Sequence, residues 1–217
     1  MGDVAISVSF TARPGITVLF GPSGSGKSTL LAAIGGLLTP DSGTVRLGAM
    51  TWLDTKSGAC VPVHQRKLAF VFQSPALFPH MTALENVMYG MDQSAPRGTN
   101  VERAKVLLAT WDVAALAHRM PRRFSGGEAQ RVALARAFAT SPDAVLMDEP
   151  FSALDDARRR TLAARVKTVV EELRVPAIFV THSVREAEAL GDHVLLLEDG
   201  RVTREGTPGE VLGAETG

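Results

Sequence analysis

The chain has 217 residues, 45% apolar and 21% charged, with 23 basic side chains balanced by 23 acidic ones. That length buries a substantial core as one large domain, and the single cysteine, Cys60, forms no internal bridge, which excludes an oxidised secreted scaffold. Zero formal charge argues against broad nucleic-acid binding while leaving room for a local anion site; no apolar run approaches the roughly 20 residues of a membrane span, and the N-terminus lacks a signal-peptide layout.

In chain order, Val4–Phe10 alternates apolar and polar residues as a half-buried strand does. Arg13-Pro14-Gly15 turns the chain into Ile16–Phe20, a short apolar run of the kind found in a covered strand. A glycine-rich loop follows, then a helix over Lys27–Leu37; Gly43–Leu53 and Leu68–Phe72 read as further strands. The middle, Pro75–Pro121, is more helical, with periodic segments at Val101–Thr110 and Val113–Ala117 and an exposed loop at Asp92–Asn100. From Ser125 onward helix and strand alternate: a helix over Gly127–Thr140, a buried strand over Ala144–Met147, a helix over Asp156–Leu173, and a strand over Val175–Thr181. Apolar residues at 162, 166, 169, 170 and 173 give the second helix a stripe with helical spacing. Asp199-Gly200 closes a hairpin between Val194–Glu198 and Arg201–Arg204. This order predicts an α/β fold with a mostly parallel sheet covered on both faces. The expected organisation is a single domain over 1–217: a core of 1–74 and 141–217, with an N-terminal antiparallel β part, and an inserted helical subdomain over 75–140.

Gly21-Pro22-Ser23-Gly24-Ser25-Gly26-Lys27-Ser28 matches the P-loop pattern and sits between an apolar strand and a helix, where its mechanism needs it. The glycines let the backbone turn tightly and aim N–H groups inward, and a helix N-terminus adds partial positive charge, so a polyphosphate is stabilised without net charge. Lys27 is expected to reach the β- and γ-phosphates and Ser28 to offer its hydroxyl to Mg²⁺. By itself the motif says nucleoside triphosphate binding and leaves kinase, GTPase and transport ATPase open. The strand at Ala144–Met147 ends in Asp148-Glu149, two carboxylates at the edge where open α/β sheets bind ligands. Asp148 suits the Mg²⁺ shell and Glu149 the polarisation of an attacking water; taken alone, such a pair also serves as a solvated turn or a helix cap.

Phe124-Ser125-Gly126-Gly127-Glu128, followed by Ala129-Gln130-Arg131, resembles the signature of ATP-binding cassette (ABC) ATPases. Gln73 in Val71-Phe72-Gln73 resembles the family's Q-loop glutamine, Ser152-Ala153-Leu154-Asp155 its D-loop, and His182 after Val180-Thr181 its switch histidine. The resemblance runs from Val4 to Leu212 with the elements in family order. It implies catalytic roles for Glu149, His182 and Gln73. ATP would be held by residues 21–28 with Thr29, and Mg²⁺ by Ser28, Gln73 and Asp148. It also implies a head-to-tail homodimer in which Ser125, Gly126, Gly127 and Glu128, with Asp155, cap the nucleotide of the opposite subunit. The chain would then lie in the cytoplasm, peripheral on the inner face of the membrane. Its implied partners are permease subunits contacting residues 73–84 and, indirectly, a periplasmic or surface substrate-binding protein; no nucleic acid is implied.

Trp52-Leu53-Asp54 through Ser57-Gly58, then Pro62, Arg66 and Phe78-Pro79-His80, resembles the molybdate importer branch of this family, as does Glu128 where many cassettes carry glutamine. Molybdate or tungstate uptake is the expected task. The alternatives are a sulfate, iron, polyamine or sugar importer, or a non-transport cassette in DNA maintenance, against which the lack of a sustained heptad repeat counts. Leu77, Phe78 and Met81 are expected as an apolar patch for the permease, or as packing between insert and core. Two departures stand out. The family's adenine-stacking aromatic would fall at or before Met1, and Phe10 is too close to Lys27 to replace it, so the chain either starts late or holds adenine differently. The C-terminal β-rich regulatory domain common in the molybdate branch has no counterpart before Gly217. Arg158, Arg159 and Arg160 read as a solvated helix face, Cys60 as inert in a loop, and His64, His80, His118 and His193 as surface or core residues.

Overall fold

Five of the apolar runs are too hydrophobic along their whole length to have a wet face. In the computed structural model, which describes residues 5–92, 94–152 and 154–213, they lie side by side in one sheet. The elements are β1 (Gly15–Phe20), α1 (Lys27–Gly35), β2 (Thr44–Leu47), β3 (Met50–Asp54), β4 (Ala59–Cys60), β5 (Leu68–Val71), α2 (Ala83–Tyr89) and α3 (Arg97–Thr110). They continue with α4 (Gly126–Ala139), β6 (Ala144–Asp148), α5 (Asp156–Leu173), β7 (Pro176–Thr181), α6 (Val184–Leu190), β8 (His193–Glu198), β9 (Arg201–Gly206) and α7 (Pro208–Leu212). The large sheet has the order β5-β6-β7-β1-β8-β9, parallel from β5 through β8, with β9 closing the edge as an antiparallel hairpin arm. A second, antiparallel sheet holds β2-β3-β4.

The two-residue period of a strand splits the core cleanly. Ile16, Val18 and Phe20, with Val145, Met147, Ala177, Phe179, Val194 and Leu196, face one cluster that α2 to α7 cover. Leu19, Leu146, Ile178, Val180 and Leu195 face the other, covered by Leu30 and Leu31 of α1. Both faces are dry, which is why these runs read as continuous rather than alternating. The α5 helix spans the predicted residues, and its stripe buries Leu162, Ala163, Val166 and Val170. Among the described residues no helix is long and apolar enough to cross a membrane.

Several expectations require correction. Val4 lies outside the described residues, and residues 5–13 form no strand. Their alternation is real, since Ile6, Val8, Phe10 and Ala12 pack on the α1-side cluster. What the segment lacks is a ladder: Ser7 N–H donates to Gly200 O at 2.8 Å, but side-chain periodicity alone does not supply a paired neighbour. The α1 helix ends at Gly35 because Gly36 turns left-handed at φ 77° and its N–H donates back into the last turn. Gly43–Leu53 is two strands, folded back at Gly48. The loop at Asp92–Asn100 is shorter than expected, because α3 starts at Arg97 and Asn100 is buried, donating through Nδ2 to Asp92 O at 2.9 Å. Cys60 is exposed in β4 rather than in a loop.

Three helices begin with the same electrostatic device. The N–H of Thr82, Ser125 and Thr207 donates to the carboxylate three residues on, Glu85, Glu128 and Glu210, at 2.7, 2.7 and 2.8 Å. That backbone hydrogen bond, reinforced by the same residue's hydroxyl, holds each carboxylate below the ordinary glutamate value of 4.5. A lowered folded pKa gives stability that is present above the unfolded value and lost as pH falls through the folded one. The variant Glu85→Gln/Glu128→Gln/Glu210→Gln is therefore expected to unfold at lower urea than the parent at neutral pH. The gap closes progressively below about pH 4.5, as urea titrations across that range would record.

Candidate functional site

Adjacent parallel strands end on one edge of a sheet, and four of them deliver predicted site residues to it. The β1 strand runs into the P-loop, β5 leads to Gln73, β6 ends in Asp148-Glu149, and β7 is followed by His182. Register keeps them level: Phe20 pairs with Thr181, Val180 with Asp148, and Met147 with Val71. The side chains meet in two contacts. Ser28 Oγ donates to Asp148 Oδ1 at 3.0 Å, and His182 Nδ1 lies 3.2 Å from Glu149 Oε1. A carboxylate only accepts, so Nδ1 carries the proton and the ring holds Glu149 in place. Glu149 itself sits at φ 41°, its backbone N–H tied to Val180 O at 3.1 Å. Gln73 is exposed beside them, on the neighbouring strand's open end.

The P-loop begins at Gly21, whose φ of 150° and close approach to the Leu197 carbonyl leave no room for a Cβ. Pro22, Ser23 and Gly24 form the exposed crest, with Gly24 at φ 86°. Gly26 precedes α1 in the left-handed region and brings no side-chain cap. The contrast with α2, α4, α5 and α6 is direct, because there Thr82, Ser125, Asp155 and Ser183 each accept a first-turn N–H. In α1 the first intrahelical donor is Leu30, to Gly26 O at 2.8 Å, so the N–H groups of Lys27, Ser28 and Thr29 have no acceptor within the helix. These are the groups that grip phosphate oxygens at a helix start.

Lys27 is buried, and its ammonium donates to Gly21 O at 2.8 Å and Pro22 O at 2.7 Å. Burial pulls its pKa down, and the charges of Glu149 and Asp148 push it back. Burial raises the Asp148 pKa, the Ser28 hydroxyl lowers it, Glu149 raises it, and Lys27 lowers it. Ser25 Oγ is buried with no hydrogen-bond partner. An open ring of amides, a buried ammonium, an unsatisfied hydroxyl and a hydroxyl–carboxylate pair fit a polyphosphate with a hard, oxygen-loving cation such as Mg²⁺. A separate cleft of ≈ 230 Å³ lies beside Trp111, Arg131 and Arg165 and includes none of the predicted site residues. A ligand gripped by backbone amides does not need an enclosing cavity.

The other predicted residues stand apart from the cradle. Ser125 and Glu128 form the reciprocal cap of α4, and Gly127 packs so closely on Leu154 that a Cβ would lie 2.9 Å from its Cδ2. Gly126 is exposed at the helix start. Asp155 caps α5, accepting from Arg158 N–H at 3.0 Å. Ala153 of the predicted D-loop lies outside the described residues. Leu77, Phe78 and Met81 are half-buried, not an open patch; Leu77 packs on the core, and the exposed apolar residues nearby are Phe72 and Tyr89, with Tyr89 4.4 Å from the Phe78 ring.

One arginine was not named from the sequence, and another was read as solvated. Arg136 of α4 donates to Ala76 O at 2.9 Å and Pro75 O at 3.2 Å, fixing the segment after Gln73. Arg159 is not part of a solvated face: it donates to Leu154 O at 2.9 Å and pairs with Glu186. The signal was present, since 159, 162, 166 and 170 follow one helical stripe, and only the middle arginine of the three falls on it.

The sequence description "ABC transporter" matches residues 6–152. The chain belongs to the ABC transporter family. It is 41% identical to a molybdenum import ATP-binding protein of Rhizobium meliloti over 98% of this chain and 59% of that protein. It is 43% identical to the protein so described from Pseudomonas aeruginosa, over 97% and 58%. The chain thus spans under two thirds of the length of these relatives. Among solved structures, a dimeric ATP-binding cassette in a post-hydrolysis state bound to ADP and Pi is 32% identical, with a TM-score of 0.81 over 96% of this chain and 94% of that one.

Gly21→Ala places a Cβ against the Leu197 carbonyl at a φ that L-residues avoid, so the cradle must move. The expected outcome is a loss of at least about tenfold in affinity for a fluorescent ATP analogue, with the circular dichroism spectrum retained. Gly24→Ala, where nothing lies near the added methyl, loses less.

Proposed function

We propose that the chain is the ATP-hydrolysing subunit of an importer, with molybdate or tungstate as the transported solute. The observation that carries the enzymatic part is the convergence of Lys27, the Ser28–Asp148 pair and the Glu149–His182 pair at one sheet edge, beside an uncapped helix start. The solute rests on the likeness to proteins described as molybdenum import ATP-binding proteins.

The loop amides from Gly24 to Thr29, with Pro22 and Ser23 shaping the crest, hold the phosphates of ATP. Lys27 exchanges its two carbonyl partners for β- and γ-phosphate oxygens and stabilises the charge that builds on them. Ser28, Asp148 and Gln73 would hold Mg²⁺, which when bound neutralises phosphate charge. Glu149, four-fifths buried, accepts the proton of the attacking water, and His182 keeps its carboxylate aimed. The products are ADP and phosphate.

Two copies meet head to tail, and Ser125, Gly126, Gly127, Glu128 and Asp155 of each complete the other's nucleotide site. The Ser125 hydroxyl accepts from Glu128 N–H at 3.3 Å, and its single proton, turned toward the Glu128 carboxylate in the free chain, swings to a phosphate in the dimer. In this assignment residues 75–140 are a helical lobe of one domain whose core is 1–74 and 141–217. The 73–84 region, flanked by the exposed Phe72 and Tyr89, meets the permease at the cytoplasmic surface of the membrane. Solute is handed to that permease by a separate binding protein.

Glu149→Gln keeps the volume and loses the base. Steady-state ATP turnover should fall about 10²–10⁴-fold, while light scattering detects a dimer that forms with ATP and not with ADP; a monomer under both conditions defeats the head-to-tail assignment. For the solute, the chain is reconstituted with its permease in liposomes. Binding protein loaded with molybdate should stimulate ATP turnover and sulfate-loaded protein should not; the reverse ranking reassigns the cargo.

A further inference from the structure

We propose that Arg159 is a positioning residue that ties the D-loop to the loop carrying His182, so that the two move as one unit. The inference rests on the ATPase assignment for its consequence, but its geometry stands independently. Arg159 lies in the first turn of α5 and its guanidinium reaches three ways: Nη2 donates to Leu154 O at 2.9 Å, Nη1 to Asp156 Oδ1 at 3.2 Å, and Nε lies 3.2 Å from Glu186 Oε1. The last contact is an ion pair without hydrogen-bond alignment, since Nε is buried and has no aligned acceptor.

Glu186 is the relay. Its side chain is 9% exposed against 29% for Arg159, so the pair is shielded from the solvent that makes surface pairs nearly worthless. Its Oε2 accepts from Thr181 Oγ1 at 2.6 Å, and that hydroxyl oxygen accepts from Ser183 N–H at 3.0 Å. The residues on either side of His182 are thereby fixed, one through its side chain and one through its backbone. The Glu186 N–H in turn donates to Ser183 Oγ at 3.4 Å. At the other end, Leu154 is the carbonyl pinned by Arg159, its N–H donates to Phe151 O, and its side chain presses on Gly127 of the signature. The path from Leu154 through Arg159 and Glu186 to Thr181, the residue before His182, is unbroken in charged or hydroxyl contacts.

This has a chemical consequence. His182 is 60% exposed and touches Glu149 through a single 3.2 Å contact, too little to fix a ring on a loop. The Arg159–Glu186–Thr181 strut supplies the missing constraint from below. It also makes the position of His182 sensitive to Leu154, the buried neighbour of Asp155, which is assigned to face a second copy. Cutting the strut should leave ATP binding intact and slow the step in which Glu149 must be aimed.

The test uses the full chain with Arg159→Met, which keeps the stem and removes the guanidinium, beside Arg159→Lys and Glu186→Gln. Hydrogen exchange by mass spectrometry is expected to rise in Arg159→Met in both segments, 150–156 and 181–186, with the peptides of the P-loop and β6 unchanged. Steady-state kinetics are expected to show kcat down about tenfold with KM for ATP within about twofold, and Arg159→Lys to recover part of kcat. Exchange rising on only one side, or kcat unchanged within that margin, overturns the strut. Loss of kcat in step with a comparable rise in KM likewise overturns it. Should Arg159→Met not fold, Glu186→Gln is read against the same outcomes. Should the unmodified chain hydrolyse no ATP, the ATPase assignment fails, and the two-sided exchange result alone still decides whether the loops are tied.

Discussion

Parallel pairing of β5, β6, β7 and β1 is the constraint from which the site follows. Parallel strands cannot be joined by tight hairpins, so every crossover must pass over a face, and helices there bury both sides. The strands consequently carry apolar residues along most of their length, Thr17 of β1 excepted, and place their ionisable groups at their ends. All four ends with chemistry point the same way because the strands do. Gly21, Gln73, Asp148-Glu149 and His182 come from distant parts of the sequence, and register alone brings them level.

Electrostatic balance follows from the same edge. A chain with no net charge can offer a polyanion site because attraction is supplied locally, by amides at an uncapped helix start and by one ammonium taken out of water. That ammonium is tolerable when buried because Gly21 and Pro22 carbonyls satisfy it and two carboxylates sit nearby. The same carboxylates make an empty anion site less attractive to casual anions.

Much of this was legible from residue order, and the limits have physical reasons. The core strands and α5 were readable because period-two and helical stripes are local patterns, and the P-loop because its function depends on contiguous residues. The segment around Val4–Phe10 shows the opposite case: alternation reports which side faces the core, and says nothing about whether another backbone lies within hydrogen-bonding distance. Asp92–Asn100 looked like loop because Pro96, Gly98 and Thr99 are poor helix formers, yet Asn100 buries itself by bonding back to Asp92, and tertiary packing overrode propensity. Arg159 was missed because three consecutive arginines resemble a wet surface, and only helical phase separates the one that turns inward. Leu77 follows the packing alternative, and the sequence left that choice open because a short segment without periodicity carries no record of which side faces the core.

The helix caps show how a fold prepares residues it does not yet use. Five helix starts are held by side chains of their own segment; α1, after Gly26, and α3, after Pro96, are not, and of these two only α1 opens at the sheet edge that carries Asp148 and Glu149. Ser125 and Asp155 belong to the first group, yet neither is exhausted by its cap. The exposed Ser125 hydroxyl can turn its proton from the Glu128 carboxylate to an incoming acceptor, and the second Asp155 oxygen pairs with an exposed Arg158 at 3.3 Å. A residue fixed by capping its own helix pays little further ordering entropy when a second molecule arrives. Capping is thus compatible with a role between subunits and favours it, because the polar groups such an interface needs are already rigid, exposed and oriented before it forms.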